Sequence, residues 1–115
     1  MSRARRERRL QSVERWPFLA DLMVIHFNQD YDIMYKSLDG AFAAAANAGP
    51  LEHRRAVLKE WRDWNATEGS VDDIRPLLHD GFSVDLSFKT ALDARNFMNR
   101  VYDELLRGVK AETQN

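Results

Sequence analysis

The stretch "TALDARNFMNRVYDELLRGV", residues 90–109, decides the fold. Ala94, Phe97, Met98, Val101, Tyr102, Leu105 and Leu106 recur at steps of three and four. On a helix of 3.6 residues per turn they form one apolar stripe, and on a strand they would scatter over both faces. Such a helix is amphipathic and must bury its stripe against other elements.

Upstream, the same period returns. "WPFLADLMVIHF", residues 16–27, carries Pro17 where a first helical turn tolerates it, and is apolar nearly all round. Phe18, Leu22 and Ile25, with Leu19, Met23 and His26, are expected to make it the most buried helix. "SLDGAFAAAANAG", residues 37–49, has Ser37 as N-cap, an inward face of Leu38, Ala41, Phe42 and Ala45, and a stop at Gly49-Pro50. "PLEHRRAVLKEWRDW", residues 50–64, sets Leu51, Val57, Leu58, Trp61 and Trp64 on a charged surface. "SVDDIRPLLHDG", residues 70–81, predicts a short helix, with Ser70 and Asp73 at capping-box spacing and a kink at Pro76. The class is all-α: a single compact bundle of about five helices.

One segment departs from this period. "FSVDLSF", residues 82–88, alternates Phe82, Val84, Leu86 and Phe88 on one side, which is the period of a half-buried strand. No second strand-like run pairs with it. It reads as an extended connection stapling the last two helices, with the alternative of an edge that a partner strand could join.

The chain has 115 residues, 44% of them apolar and 30% charged, enough for one domain with one core. Without cysteine it has neither a disulfide framework nor a thiolate metal site. Its longest apolar run, Phe18 to Ile25, is interrupted by Asp21 and too short to span a bilayer. No apolar signal region follows the basic start, so the expected location is cytoplasmic. The net charge of −1 hides a division. Residues 1–15 hold six arginines against Glu7 and Glu14, giving +4, and the rest holds eleven Lys and Arg against sixteen Asp and Glu, giving −5. Residues 1–15 are read as a basic arm or helix extension, 16–110 as the helical domain, and 111–115 as a tail. The arm could bind phosphates, fray into solvent, or pack back on the acidic body.

Polar groups crowd into "HFNQDYDIMY", residues 26–35. As a metal site it would use His26, Asp30 and Asp32, yet His53 and His79 lie in other elements without motif spacing. As a catalytic pair, Asp30 and Asp32 lack any accompanying nucleophile or phosphate-loop motif. No catalytic residue, metal or cofactor is expected. The reading that remains is a joint, in which Asn28, Gln29 and Asp30 bond the backbone groups freed at a helix end and turn the chain. Tyr31 and Tyr35 then return rings to the core.

"RWPFLADLMVIHFNQDYDIMYKSLDGAFAAAA", residues 15–46, resembles the opening of the CdiI-type immunity proteins of contact-dependent growth inhibition. Pro17, Leu19, Phe27, Gln29, Asp30, Tyr31 and the alanines from Ala41 to Ala46 carry the likeness, which extends in general pattern over about residues 16–108. Asn28 departs from it, standing where the pattern has a histidine. The resemblance implies a small protein that binds the toxic C-terminal domain of a large exported effector, often a nuclease, and neutralises it stoichiometrically. It also makes Gln29, Asp30 and Tyr31 a family motif of structural role.

A phosphate-gripping toxin surface is cationic, so an inhibitor gains by presenting carboxylates. Asp72, Asp73, Asp80 and Asp85, clustered with only Arg75 between them, and Asp32 are the candidate toxin-binding residues. Equally, each can be a solvated acid or a helix cap. Two other readings stand beside this one: a helical nucleic-acid-binding or antitoxin-like regulator that uses the arginine arm, and a small hydrolase centred on Asp30 and Asp32. No membrane partner is expected, nucleic acid is the lesser alternative, and the oligomeric state is left open.

Overall fold

The computed structural model describes residues 3–30 and 34–113, and all its regular elements are helical. They are α1 (Arg3–Arg15), α2 (Pro17–His26), α3 (Leu38–Ala46), α4 (Leu51–Ala66) and α5 (Ala91–Thr113). A 3₁₀ turn (Glu68–Ser70) and a π turn (Leu77–Gly81) lie between α4 and α5. The all-α class holds. α5 packs on α3 and α4, α2 packs on α4 and α3, and α1 crosses α2 and the π turn.

Residues 3–15 form a helix of their own. Trp16 closes α1 by donating its N–H to the Ser12 carbonyl at 2.9 Å, but adopts φ −133°, ψ 61°, outside the helical region. Proline's ring drives the preceding residue there, and Pro17 then opens α2 at its first position. Trp16 supplies no side-chain cap. α4 supplies one instead: Glu60 Oε1 accepts the Leu19 N–H at 3.0 Å, and Asp63 Oδ2 accepts the Trp16 indole N–H at 2.8 Å. Partial burial holds the Glu60 carboxyl above the usual carboxylate range, opposed by that same hydrogen bond.

α2 buries Leu19, Ala20, Leu22, Met23 and His26, whereas Phe18 and Ile25 are 41% and 51% exposed. An all-round apolar sequence overstates burial when one face of the helix has no neighbour. In α3, Ser37 caps as expected, its Oγ accepting the Gly40 N–H at 3.0 Å, and Gly49 takes the left-handed φ of 82° at the stop. The α5 stripe is inward, with Ala94, Phe97, Met98, Val101, Leu105 and Val109 buried. Aromatic rings fill the core in two groups. Phe27, Phe42 and Phe97 meet with centroids 4.9–5.5 Å apart and Phe88 joins at 5.3 Å from Phe97. Phe82 links Trp16 to Trp64, and Trp64 packs on Trp61.

The helix expected over residues 70–81 forms differently. Ser70 Oγ donates to the Thr67 carbonyl rather than capping, and the Arg75 N–H turns onto Asp73 Oδ1 at 3.1 Å. Helical bonding starts only from there. It ends in the π turn, where the Phe82 N–H reaches back five residues to the Leu77 carbonyl at 3.3 Å. Phe82 (φ −102°, ψ 0°) and Ser83 (φ 55°) turn the chain out of the π turn, and the extended segment that follows keeps the alternation. Phe82 and Val84 are buried, Leu86 and Phe88 pack against the core, and Asp85 and Ser87 are exposed. This segment bonds to helix ends: Val84 N–H to the Leu78 carbonyl at 3.0 Å and Asp85 N–H to the Phe27 carbonyl at 2.9 Å.

Candidate functional site

The end of α2 is where the polar stretch begins to work. Its last carbonyls have no partner within the helix. The Asn28 amide donates to the Val24 and Ile25 carbonyls at 3.1 and 3.2 Å, and Asn28 Oδ1 accepts the Asp30 N–H at 2.8 Å. One side chain thus terminates the helix and turns the chain. His26 Nδ1–H donates to the Leu22 carbonyl at 3.0 Å, and its ring stacks on Tyr35, so this histidine is spent on structure. Among the described residues no group of His, Asp and Glu side chains is arranged to hold a metal ion.

The Asp85–Phe27 backbone bond brings the extended segment against this joint. Between them opens a cleft of about 370 Å³, lined by Arg5, Val24, Asn28, Gln29, His79, Ser83, Val84 and Asp85. Two uncommon backbone conformations shape its far wall. The π turn carries His79, and Ser83 adopts a left-handed φ of 55°. His79 Nδ1–H donates to the Val84 carbonyl at 3.0 Å, which fixes the ring against the segment. α1 forms the rim through Arg5.

The acids singled out in the sequence meet different fates. Asp80 is only 18% exposed at its side chain, and its two oxygens accept Arg5 Nε and Arg8 Nη1, each at 2.9 Å. Asp73 is clamped by Arg75, whose Nε and Nη2 donate to its two oxygens, which holds its carboxyl down at about 2. Arg75 Nη1 also reaches the Lys89 carbonyl at 3.0 Å, tying this turn to the end of the extended segment. Asp72 and Asp85 are exposed, with no side-chain hydrogen bond or ion pair among the described residues. Asp85 lines the cleft and Asp72 does not. Gln29 and Asp30 are exposed too, Gln29 at the cleft, and neither side chain carries the hydrogen bonds of the joint. Asp32 and Tyr31 lie outside the described residues.

Three groups at this site were not singled out in the sequence: Arg5, His79 and Ser83. Nothing in the local pattern marks them, since each becomes a cleft residue only through packing between elements. Asn28 was legible, as an amide placed where a helix must end.

The profile of the family described as CdiI immunity protein matches residues 15–105. No curated protein and no solved structure matches the chain. The matched span begins at the last residue of α1 and ends within α5, so almost all of α1 lies outside it.

Proposed function

We propose, since this chain belongs to the CdiI immunity protein family, that it binds the toxic C-terminal domain of its cognate contact-dependent growth inhibition effector one-to-one and thereby neutralises it in the cytoplasm. The toxin on this reading is a nuclease with a cationic surface, and the protein acts by binding rather than by catalysis. One observation carries the choice of surface. Asp85 presents a carboxylate, unpaired among the described residues, at the cleft where the family's Gln29 element meets the extended segment. The field of the acidic body supports it, because opposite charge speeds encounter with a cationic partner. Asp72 extends the acidic surface. Asp73 and Asp80 contribute charge already shared with arginines, and Asp32 belongs to the same proposal on sequence grounds. Gln29, Asp30 and Tyr31 are proposed as the element that shapes this end of the molecule.

The arginines favoured by a nucleic-acid reading are largely engaged within the fold. Arg5 and Arg8 hold Asp80, and Arg9 donates to the Gly81 carbonyl. Among the described residues, no helix is long and apolar enough to cross a membrane.

The test is co-expression with the cognate toxin domain, together with calorimetry of the purified pair. Growth is expected to be rescued, with a stoichiometry of one, and Asp72→Lys with Asp85→Lys is expected to slow association at low salt. Rescue without a measurable complex, or association of the double reversal at the wild-type rate, would overturn the proposal.

A further inference from the structure

The cleft at the foot of α2 is rich in hydrogen-bond acceptors whose partners are missing. Arg5 also lines it and is held by Asp80, which it shares with Arg8. The Asn28 amide is consumed on both its nitrogen and its oxygen by the joint. Three acceptors remain on the walls. The Asp85 carboxylate is exposed, and no cation among the described residues pairs with it. His79 must carry its proton on Nδ1, because the Val84 carbonyl it meets can only accept, so the neutral ring keeps a lone pair on Nε2. The Gln29 amide makes no side-chain hydrogen bond among the described residues. The far wall is built from backbone conformations that cost energy to hold, a π turn at His79 and a left-handed Ser83.

We infer that this cleft is a subsite for one cationic, donor-only side chain, a lysine or arginine of a partner protein. Such a group offers donors and no acceptor, matching the Asp85 carboxylate, His79 Nε2 and the Gln29 amide oxygen, and its charge would pair with the Asp85 carboxylate, which no cation among the described residues meets in an ion pair. The cleft, at about 370 Å³, has room for a lysine or arginine side chain. That the side chain belongs to the toxin rests on the function proposed above; the subsite itself does not.

The experiment is a titration of the ¹⁵N-labelled full chain with the N-acetyl methylamides of lysine, arginine and norleucine. The signals to follow are the Asp85 backbone amide and the His79 ring nitrogens. Both basic probes are expected to shift them saturably and norleucine to leave them in place. Asp85→Asn is expected to weaken the basic probes about tenfold, whereas Asp72→Asn, outside the cleft, leaves them unchanged. Equal shifts with norleucine, or equal weakening by Asp72→Asn, would overturn the subsite, since the response would then be greasy contact or general field. A second arm measures affinity for the toxin domain. An Asp85→Asn protein that loses the probes yet binds toxin at full strength overturns the toxin as occupant and leaves neutralisation standing. Probe shifts in a wild-type protein that does not bind the toxin overturn the proposed function and leave the cation subsite standing.

Discussion

Ser12 and Gly81 meet where α1 crosses the π turn, so closely that a Cβ on residue 81 would stand 2.6 Å from Ser12 Oγ. Ser12 is fully buried, and its hydroxyl has no hydrogen-bond partner among the described residues. Gly81→Ala is therefore expected to force α1 away from the turn and cost about 1–3 kcal/mol. Ser12→Ala removes an unsatisfied buried hydroxyl and is expected to stabilise by about 1 kcal/mol. In the double variant the clash is gone, and most of the loss should return. Thermal melts of the three proteins check this; a Gly81→Ala melt that Ser12→Ala does not improve would place the strain elsewhere.

The docking of α1 has a second consequence. A solvated arm could be removed without cost, but this helix is fastened by Arg5 and Arg8 to Asp80 and by Arg9 to the Gly81 carbonyl. Removing residues 1–15 is expected to lower stability by about 1–3 kcal/mol, and Asp80→Ala alone by about 1 kcal/mol, less in high salt. Chemical denaturation at low and high ionic strength reads both. An unchanged midpoint for the truncated chain would mean that the helix rests on the body without holding it.

At the end of α2, Asn28 makes the side-chain hydrogen bonds and Asp30 contributes backbone groups only, its N–H to Asn28 Oδ1 and its carbonyl to the Met34 N–H. Asn28→Ala is expected to cost about 1–2 kcal/mol, since two carbonyls and one N–H lose their partner. Asp30→Ala, on an exposed side chain, should stay within about 0.5 kcal/mol. Equal losses in the two melts would show that the Asp30 carboxylate, and not the amide before it, holds the joint.

Asp73 gives a pH prediction with a definite sign. Hydrogen bonds from Arg75 lower its carboxyl from 3.8 to about 2 in the folded protein. A depressed carboxyl stabilises above its unfolded value, and that contribution disappears as the pH falls through the folded one. The wild type should thus exceed Asp73→Asn in stability at neutral pH and converge with it as the pH approaches 2. The side chain is solvent-exposed, so the effect is small, and carboxyl NMR titration is the sharper readout. A midpoint in the ordinary range for aspartate would show that the Arg75 clamp does not persist in solution.

The sequence by itself determined the elements. The α5 stripe, the Ser37 cap, the Gly49-Pro50 stop and the inward side of residues 82–88 all depend on residues a few positions apart, where a helix or an extended chain fixes the geometry. Even the polar stretch was legible as a joint, because a helix end creates orphaned carbonyls whatever the rest of the fold does. The same local rules failed at residues 70–81, where Asp73 bonds forward to Arg75 before any helical turn forms. Tertiary structure alone decided which charges are available. Asp80 and Asp85 look alike in the sequence, five residues apart in one acidic run. One is held by Arg5 and Arg8, more than seventy residues away along the chain, and the other stands open at the cleft. A carboxylate's charge belongs to its residue, but its neutralisation belongs to whichever cation the packing of distant helices sets within reach.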